Sequence, residues 1–138
     1  MAAELFSGTS YKRLREQALT TERWNRLHPG EPARTPRVTE ILEGEGPVIA
    51  VTDFMKAIPD QIARWVPAGR SFTPLGTDGF GRSDTREALR RHFETDAAHV
   101  VAATLASLAA SGDVKPEVVR DAIDRYGLDA ERSDPRLA

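Results

Sequence analysis

Pro47-Val48-Ile49-Ala50-Val51 is a continuous apolar run with three β-branched residues, bounded by Gly46 and Thr52. Runs of this kind are typical of a strand that is buried on both faces of a parallel sheet. A second extended run, from Ser71 to Leu75, predicts another strand with Pro74 near its end. Because a helical pattern separates the two runs, strands and helices alternate along the chain. The sequence therefore predicts an α/β domain with a mostly parallel sheet.

Helical patterns lie on both sides of the first strand. Thr9 or Ser10 is a candidate N-cap for one or two helices that extend to about Leu27. The three prolines between His28 and Pro36 then favour an extended connection. A further helical pattern runs from Phe54 to Trp65, and Pro59 must either begin a turn of that helix or kink it. Trp24 and Trp65 lie on apolar helix faces, which predicts core packing for both.

The two ends of the chain carry weaker signals. Asp96 is a candidate N-cap for a helix that stops at Gly112, and Pro116 fits the first turn of a helix closed by Gly127. The short apolar segment from Met1 to Phe6 predicts one more brief strand.

The stretch LGTDGFGRSDTRE, from Leu75 to Glu87, joins the second predicted strand to a helix expected from Thr85 to about Phe93. Its glycines permit positive φ and close backbone approach, and Asp84 followed by Glu87 indicates an N-cap of the capping-box type. The stretch lacks the lysine of a phosphate-binding loop and the spacing of a dinucleotide motif. A rigid strand-to-helix turn is the simpler interpretation. If the turn also binds another domain or an anion, the candidate contact residues are Gly76, Asp78, Gly79, Gly81, Arg82, Asp84 and Arg86.

Composition excludes several classes of protein. The 138 residues are 40% hydrophobic and 29% charged, which is typical of one globular domain. The net charge is −2, with 19 basic and 21 acidic residues, which argues against nucleic acid as a partner. No apolar run approaches the roughly 20 residues of a membrane span. The start, with Glu4 and no basic cluster, does not resemble a signal peptide. We therefore expect a soluble cytoplasmic protein with no membrane partner.

Candidate catalytic and metal-binding groups form no recognisable motif. The three histidines, His28, His92 and His99, lack the partner spacing of a zinc-binding helix. The chain has no GxSxG motif and no cysteine, so acyl-enzyme chemistry has no evident nucleophile. The carboxylates that could serve as acid or base, without a recognisable partner, are Asp53, Asp78, Asp84 and Glu94. The residues alone name no reaction, and no catalytic or metal-ligating residue is predicted.

Several segments along almost the whole chain provide a second kind of evidence: Glu22 to Asn25, Leu27 to Pro29, Thr52 to Lys56, Leu75 to Glu87, His92 to Glu94 with Asp96, and Pro135 to Leu137. Together they resemble the C-terminal domain of the homodimeric bacterial pyruvate dehydrogenase family, whose members are thiamine diphosphate-dependent and similar to transketolase. The loop from Leu75 to Glu87 is the most specific segment. The sequence departs from the family pattern at Pro59 and at Thr95, where valine is more frequent.

The resemblance implies a partial transketolase C-terminal-like α/β domain with three layers, a mostly parallel sheet of about three strands, and C-terminal helices. Residues 1–138 would be an incomplete C-terminal domain without its first strand and helix. The absent strand would lie between a strand at Ala3 to Phe6 and the strand at Val48 to Val51. Because a central strand pairs with both of its neighbours, we expect the isolated chain to be marginally stable and self-associating.

The resemblance also implies partners: the remaining domains of the same enzyme, a homodimer mate, and the dihydrolipoamide acetyltransferase component. The parent enzymes bind thiamine diphosphate and Mg²⁺, oxidatively decarboxylate pyruvate, and transfer acetyl to lipoyl groups. No residue of this chain matches the family's cofactor motifs, so we expect a structural portion that binds no cofactor and is inactive alone. Two alternatives stay open: a stand-alone anion-binding module that uses the loop from Gly76 to Asp84, and the inert product of a truncated gene.

Overall fold

The computed structural model describes residues 2–138 and contains a small parallel sheet. Strand β1 is Val48–Val51 and strand β2 is Phe72–Leu75. Val48 lies opposite Phe72 and Val51 lies opposite Leu75. Both strands were expected from the sequence, and their parallel pairing confirms the α/β prediction.

The third expected strand is not formed in the described residues. Residues 2–6 have no strand pairing, and the Leu5 side chain is 97% exposed; Met1 lies outside the described residues. A strand needs a neighbour to accept and donate its backbone hydrogen bonds, and no other strand in residues 2–138 reaches this segment. The prediction of about three strands is therefore corrected to two strands within residues 2–138.

Six helices and one 3₁₀ turn surround the sheet in the described residues. They are α1 Tyr11–Leu27, α2 Arg37–Ile41, α3 Ala57–Asp60, the 3₁₀ turn Ala63–Trp65, α4 Arg86–His92, α5 Ala97–Ala110 and α6 Pro116–Tyr126. Local capping chemistry explains most of their ends. The Ser10 hydroxyl accepts from the Arg13 amide at 3.2 Å, and the Asp96 carboxylate accepts from the His99 amide at 3.0 Å. Gly127 ends α6 in the left-handed conformation, with φ 57°. These cap predictions are confirmed.

The core lies between the sheet and the N-terminal helices. Its buried members are Ala18, Val38, Leu42, Ile62 and Trp65, and Val48 and Phe72 pack against them from the sheet. On the opposite face, the Thr73 hydroxyl lies 3.3 Å from that of Ser107 in α5. Helices therefore cover both faces of the sheet, and the three-layer prediction is confirmed.

Some predicted core positions are exposed instead. Trp65 is buried as expected, and its indole Nε1 donates to Glu22 Oε1 at 2.8 Å. Trp24 is only partly buried; its ring stacks on the His28 imidazole, at 4.3 Å, and the Arg34 guanidinium lies 3.6 Å from the ring centroid. The core prediction is therefore wrong for Trp24.

The burial predicted for β1 and the segment after it is also only partly correct. Within β1 only Ala50 is buried, while Val51 is 42% exposed. Phe54, which was expected on the helix that ends near Trp65, is 69% exposed and precedes α3. β1 is thus not the doubly buried strand that its apolar run suggested. The reason is that β1 pairs with one neighbour only, so one of its edges stays open among the described residues.

The two edges of the sheet differ in their hydrogen-bonding capacity. The Val48 amide donates to Ser71 O at 2.8 Å, and the Thr52 amide donates to Leu75 O at 2.9 Å. Because alternate residues of a strand point to opposite edges, the Ile49 and Val51 amides face away from β2. On β2 the outward-facing residues are Phe72 and Pro74, and Pro74 has no amide hydrogen. The open edge of β1 therefore has two outward donors for a further strand, whereas the edge of β2 has only the Phe72 amide.

The connection from α4 to α5 is a tight corner. Glu94 adopts a left-handed conformation, with φ 59°. The Thr95 amide donates to Arg90 O at 2.9 Å and the Glu94 amide donates to Arg91 O at 3.4 Å. This is the hydrogen-bond pattern of a Schellman motif, which here ends α4 with glutamate at the position that glycine usually occupies. The corner fixes the start of α5 against the end of α4.

The difference between the two edges of β1 predicts a pattern of amide hydrogen exchange. The Ala50 amide faces β2, so we expect it to exchange at least about tenfold more slowly than the Ile49 and Val51 amides. Exchange measured by NMR on the chain at neutral pH tests this expectation. Equal protection of all three amides would show that the outer edge of β1 is already paired.

Candidate functional site

The two loops that follow the strands meet at the carboxyl edge of the sheet. The Thr77 amide donates to Phe54 O at 2.9 Å, and the Thr77 hydroxyl donates to Asp53 O at 2.9 Å. From the other side, the Lys56 amide donates to Asp78 Oδ1 at 2.8 Å. Asp78 and Thr77 thus fasten the loop after β2 to the loop after β1.

Two glycines of the Leu75 to Glu87 stretch permit close backbone approach. A Cβ atom on Gly76 would lie 2.5 Å from Phe54 O and 2.9 Å from the Lys56 amide nitrogen. Gly79 has φ 107°, and a Cβ atom on it would lie 2.5 Å from Pro135 O. Gly81 has no such neighbour within 4 Å. The close approach predicted for this loop is confirmed at Gly76 and Gly79, and the approaching groups belong to this chain.

The C-terminal segment joins the site through Gly79. Asp134 and Arg136 form an ion pair of 2.6 Å beside this contact. Hydrogen bonds from the Arg136 side chain and backbone lower the pKa of Asp134 to about 2, and the positive charge of Lys56 adds to the effect. The Asp134 carboxylate in turn raises the pKa of Arg136, with a smaller contribution from Asp78. The loop sequence alone does not reveal this contact, although Pro135 to Leu137 is among the segments that carry the family resemblance.

Arg82 is directed towards the end of α4. Its Nη1 lies 3.3 Å from His92 Nδ1, and Arg132 Nη2 lies 2.6 Å from the same atom. Because a guanidinium has no acceptor, the imidazole must accept at Nδ1 and is therefore neutral there. Desolvation lowers the pKa of His92, and the charges of Arg82 and Arg132 lower it further, while Glu94 opposes them.

The other candidate residues lie elsewhere along α4. Arg90 forms a 3.5 Å ion pair with Asp53, and Arg86 lines a depression between α4 and the start of α5. Asp84 is not the N-cap that was predicted. The N-cap is Thr85, whose hydroxyl accepts from the Ala88 amide at 3.2 Å, while Asp84 Oδ1 accepts from the Thr85 amide at 2.7 Å. Because the cap is shifted by one residue, Glu87 does not reach the capping-box position.

Four large apolar side chains are exposed on the segments that meet at this edge. They are Phe54 at 69%, Met55 at 55%, Phe80 at 83% and Leu137 at 83% exposed. Phe54 and Met55 belong to the loop after β1, and Phe80 and Leu137 neighbour the Gly79 and Arg136 contact. We call these four residues the carboxyl-edge patch. Exposed apolar side chains mark an interaction site when they form one contiguous surface.

The described residues do not fit a metal-binding site. Residues 2–138 contain no group of three or more histidine, aspartate or glutamate side chains close enough to hold an ion. Asp96 instead binds His99 Nδ1 at 2.6 Å and Arg91 at 3.1 Å, and His92 accepts from Arg132. In the same part of the chain, no helix is long and apolar enough to cross a membrane.

Comparison with known proteins assigns this architecture to a family. Residues 1–96 match the family model of the transketolase-like C-terminal domain. The chain belongs to this family. The match includes both strands, the Gly76 to Asp84 loop and α4, whereas α5, α6 and the C-terminal segment lie beyond it.

Curated relatives cover nearly the whole chain. It is 49% identical over 136 residues, 98% of its length, to a pyruvate dehydrogenase E1 component from Pseudomonas aeruginosa. It is 44% identical over its full length to the E1 component from Escherichia coli, and 47% identical over 94% of its length to that from Mycolicibacterium smegmatis. The chain spans only 14–15% of the length of these relatives.

Adding a side chain at Gly76 tests the loop contact. We expect Gly76→Ala to lower the free energy of unfolding by about 1–3 kcal/mol, since its methyl group overlaps the Phe54 carbonyl and must separate the loops. Denaturant unfolding measures this change. Gly81→Ala is the matched control and should be close to neutral, because no atom lies within 4 Å. Equal effects at both positions would contradict the proposed close approach.

The environment of His92 predicts a pH dependence of stability. Its pKa is lower in the folded chain than the ordinary 6.5, so the unfolded chain binds the proton more readily. The part of the folding free energy that depends on neutral His92 is therefore complete above pH 6.5. It is lost as the pH falls from 6.5 through the pKa of His92 in the folded chain. Melting temperatures across this window should fall less steeply for His92→Asn. An NMR titration provides the direct check, in which Arg132→Ala should raise the pKa of His92; an unchanged value would contradict this contact.

Proposed function

We propose that this chain is the C-terminal portion of a thiamine diphosphate-dependent pyruvate dehydrogenase E1 subunit, and that its role is structural. The observation that carries the proposal is the identity of 41–49% to E1 components across 94–100% of the chain, which corresponds to only 14–15% of their length. The chain is similar to E1 components along its whole length but matches only a small share of theirs. This is best explained if the chain is a part of the same kind of subunit.

The carboxyl-edge patch is the surface through which the chain completes the subunit. Its aromatic and aliphatic side chains are exposed on segments that hydrogen bonds and an ion pair hold in place. An anchored apolar surface loses little conformational entropy when it is covered, which favours binding. The residues Gly76, Asp78, Gly79, Gly81, Arg82, Asp84 and Arg86 then support an interdomain or intersubunit contact, either with the remaining domains or with the homodimer mate.

Cofactor chemistry belongs to the rest of the enzyme in this proposal. Thiamine diphosphate and Mg²⁺ would be held by the parent subunit, because the described residues offer no group of carboxylates or imidazoles for an ion. Oxidative decarboxylation of pyruvate, acetyl transfer to lipoyl groups and contact with the acetyltransferase component are likewise proposed for the complete enzyme. The chain alone is proposed to be inactive.

The geometry gives less support to the loop from Gly76 to Asp84 as a stand-alone anion-binding module. Two amides at its base already have acceptors, since Thr77 donates to Phe54 O and Lys56 donates to Asp78. The space above Gly76 and Gly79 is filled by backbone atoms of this chain. An anion would have to displace these contacts, so we prefer the structural role.

Complementation tests the proposed function. The chain is co-expressed with the Pseudomonas aeruginosa E1 component lacking the segment that this chain matches. We expect the two polypeptides to co-purify and to restore pyruvate decarboxylation that neither has alone.

Phe80→Ser in the chain should weaken co-purification, because an exposed anchor of the patch is lost, whereas Val118→Ser on α6, which is 40% exposed, should not. Decarboxylation by the chain alone, or failure of the unmodified chain to associate, would contradict the proposal.

A further inference from the structure

The C-terminal segment, residues 129–138, follows α6 and lies on the surface of the chain. Only Asp134 and Pro135 of this segment are partly buried, and its other residues are exposed. Its backbone hydrogen bonds are internal, such as the bond from the Leu137 amide to Asp134 O at 2.9 Å. Because its backbone makes no hydrogen bond to other described residues, the segment depends on side chains for its attachment.

Arg132 provides this attachment. In the part of the chain that the structure describes, it is the one residue of the segment whose hydrogen bonds reach outside the segment. Its Nη2 lies 2.6 Å from His92 Nδ1, and its Nη1 donates to Arg91 O at 3.4 Å. The approach of Pro135 to Gly79 is a packing contact. The shorter of the two hydrogen bonds of Arg132 is therefore the one to the imidazole.

His92 is the last residue of α4 and receives guanidinium groups from two other parts of the chain. Besides Arg132, Arg82 of the Gly76 to Asp84 loop places its Nη1 3.3 Å from His92 Nδ1. Since Nδ1 accepts, the hydrogen of the neutral imidazole is on Nε2. Protonation of Nδ1 would place a donor and a positive charge in front of two cationic donors. The contact with Arg132 therefore requires neutral His92.

The surroundings of the imidazole favour its neutral form. The charged groups that face it are Arg82 from the loop, Arg132 from the C-terminal segment and Glu94 from the corner after α4. The Phe93 ring lies edge-on at 4.8 Å and is uncharged, and the Arg91 guanidinium is bound by carbonyl groups at the end of α6. Desolvation lowers the pKa of the imidazole first, the two arginines lower it further, and the glutamate opposes them.

The acidic group inside the segment does not titrate in the same pH range. Hydrogen bonds from Arg136 hold the pKa of Asp134 at about 2. Their ion pair is internal to the segment, so it does not attach the segment to the rest of the chain. A change in the attachment of the segment just below pH 6.5, the ordinary pKa of histidine, is therefore expected from His92.

We propose that His92 is a pH-sensitive latch for the C-terminal segment. The neutral imidazole accepts from Arg132 and holds residues 129–138 against the end of α4. When the imidazole is protonated, Arg132 leaves and the segment detaches from α4 and from Gly79, while the sheet and the helices stay folded. Leu137 of the carboxyl-edge patch moves with the segment. The latch is a property of this chain and does not depend on its role in a larger enzyme.

The test is ¹⁵N NMR relaxation of the chain between about pH 7.5 and about pH 5.5, with the titration of His92 followed in the same samples. As His92 becomes protonated, backbone order parameters of residues 131–136 should fall from about 0.85 to below about 0.6. The order parameter of Ala50 in β1 should not change, which separates release of the segment from unfolding. A segment that stays ordered beside protonated His92 would overturn the proposal.

His92→Asn separates the titration from the hydrogen bond. The asparagine side chain offers an acceptor but cannot be protonated, so the segment should stay ordered over the whole pH range. His28→Asn is the matched control. It removes a histidine whose Nδ1 lies 2.8 Å from Trp24 O, and it should leave the release and its midpoint unchanged. Release in His92→Asn at the midpoint of the unmodified chain would assign the effect to another group and would contradict the latch.

His92→Lys tests the latch without acid. Lysine is positively charged at about pH 7.5 and has no acceptor, so the segment should already be released at this pH. His28→Lys introduces the same charge at the end of α1 and should leave the segment ordered. Equal order parameters of residues 131–136 in His92→Lys and in the unmodified chain would show that the imidazole does not hold the segment.

Discussion

The contact between the backbone of Gly76 and the backbone of Phe54 and Lys56 determines the arrangement of the whole carboxyl edge. It brings the loop after β2 within hydrogen-bonding distance of the loop after β1, where Thr77 donates to Phe54 O. Asp78 then reaches the Lys56 amide, and Gly79 reaches Pro135. The exposed aromatic side chains at this edge are therefore held by backbone geometry and not by a packed apolar core beneath them.

The rest of the fold depends on a core that is small and lies on one side. Its buried members come mostly from α1, α2 and the segment before β2, and the sheet contributes Val48 and Phe72 from its inner face. On the other face, the partly buried residues of α5 meet the sheet through contacts such as that of Thr73 with Ser107. A sheet of two strands has little surface to cover, and the chain spans only 15% of the length of the Pseudomonas aeruginosa relative that it matches.

Local signals in the sequence predicted the elements that depend on local chemistry. The caps at Ser10 and Asp96 and the glycine stop at Gly127 form as expected, because each depends on residues within one turn. The β-branched run at Val48 to Val51 forms the expected strand because β2 pairs with it. The strand expected near Leu5 failed for the opposite reason, since a strand is stable only when a distant segment pairs with it. Tertiary contact also decided the environment of Trp24, where Arg34 offers a stacking partner that helical spacing does not reveal. At the candidate site, the glycines indicated close approach, but the sequence could not show that Pro135 is one of the approaching groups.

Pro74 has a consequence for how copies of this chain can join. The edge of β2 lacks a donor at its centre, whereas the edge of β1 retains two donors, at Ile49 and Val51. If two copies pair through their β1 edges, the four-stranded sheet that results ends in a proline-bearing strand on both sides. Growth beyond two molecules is then disfavoured, because Pro74 removes one donor from each outer edge and leaves only the Phe72 amide. A single imino acid therefore weakens the template on which further copies would add.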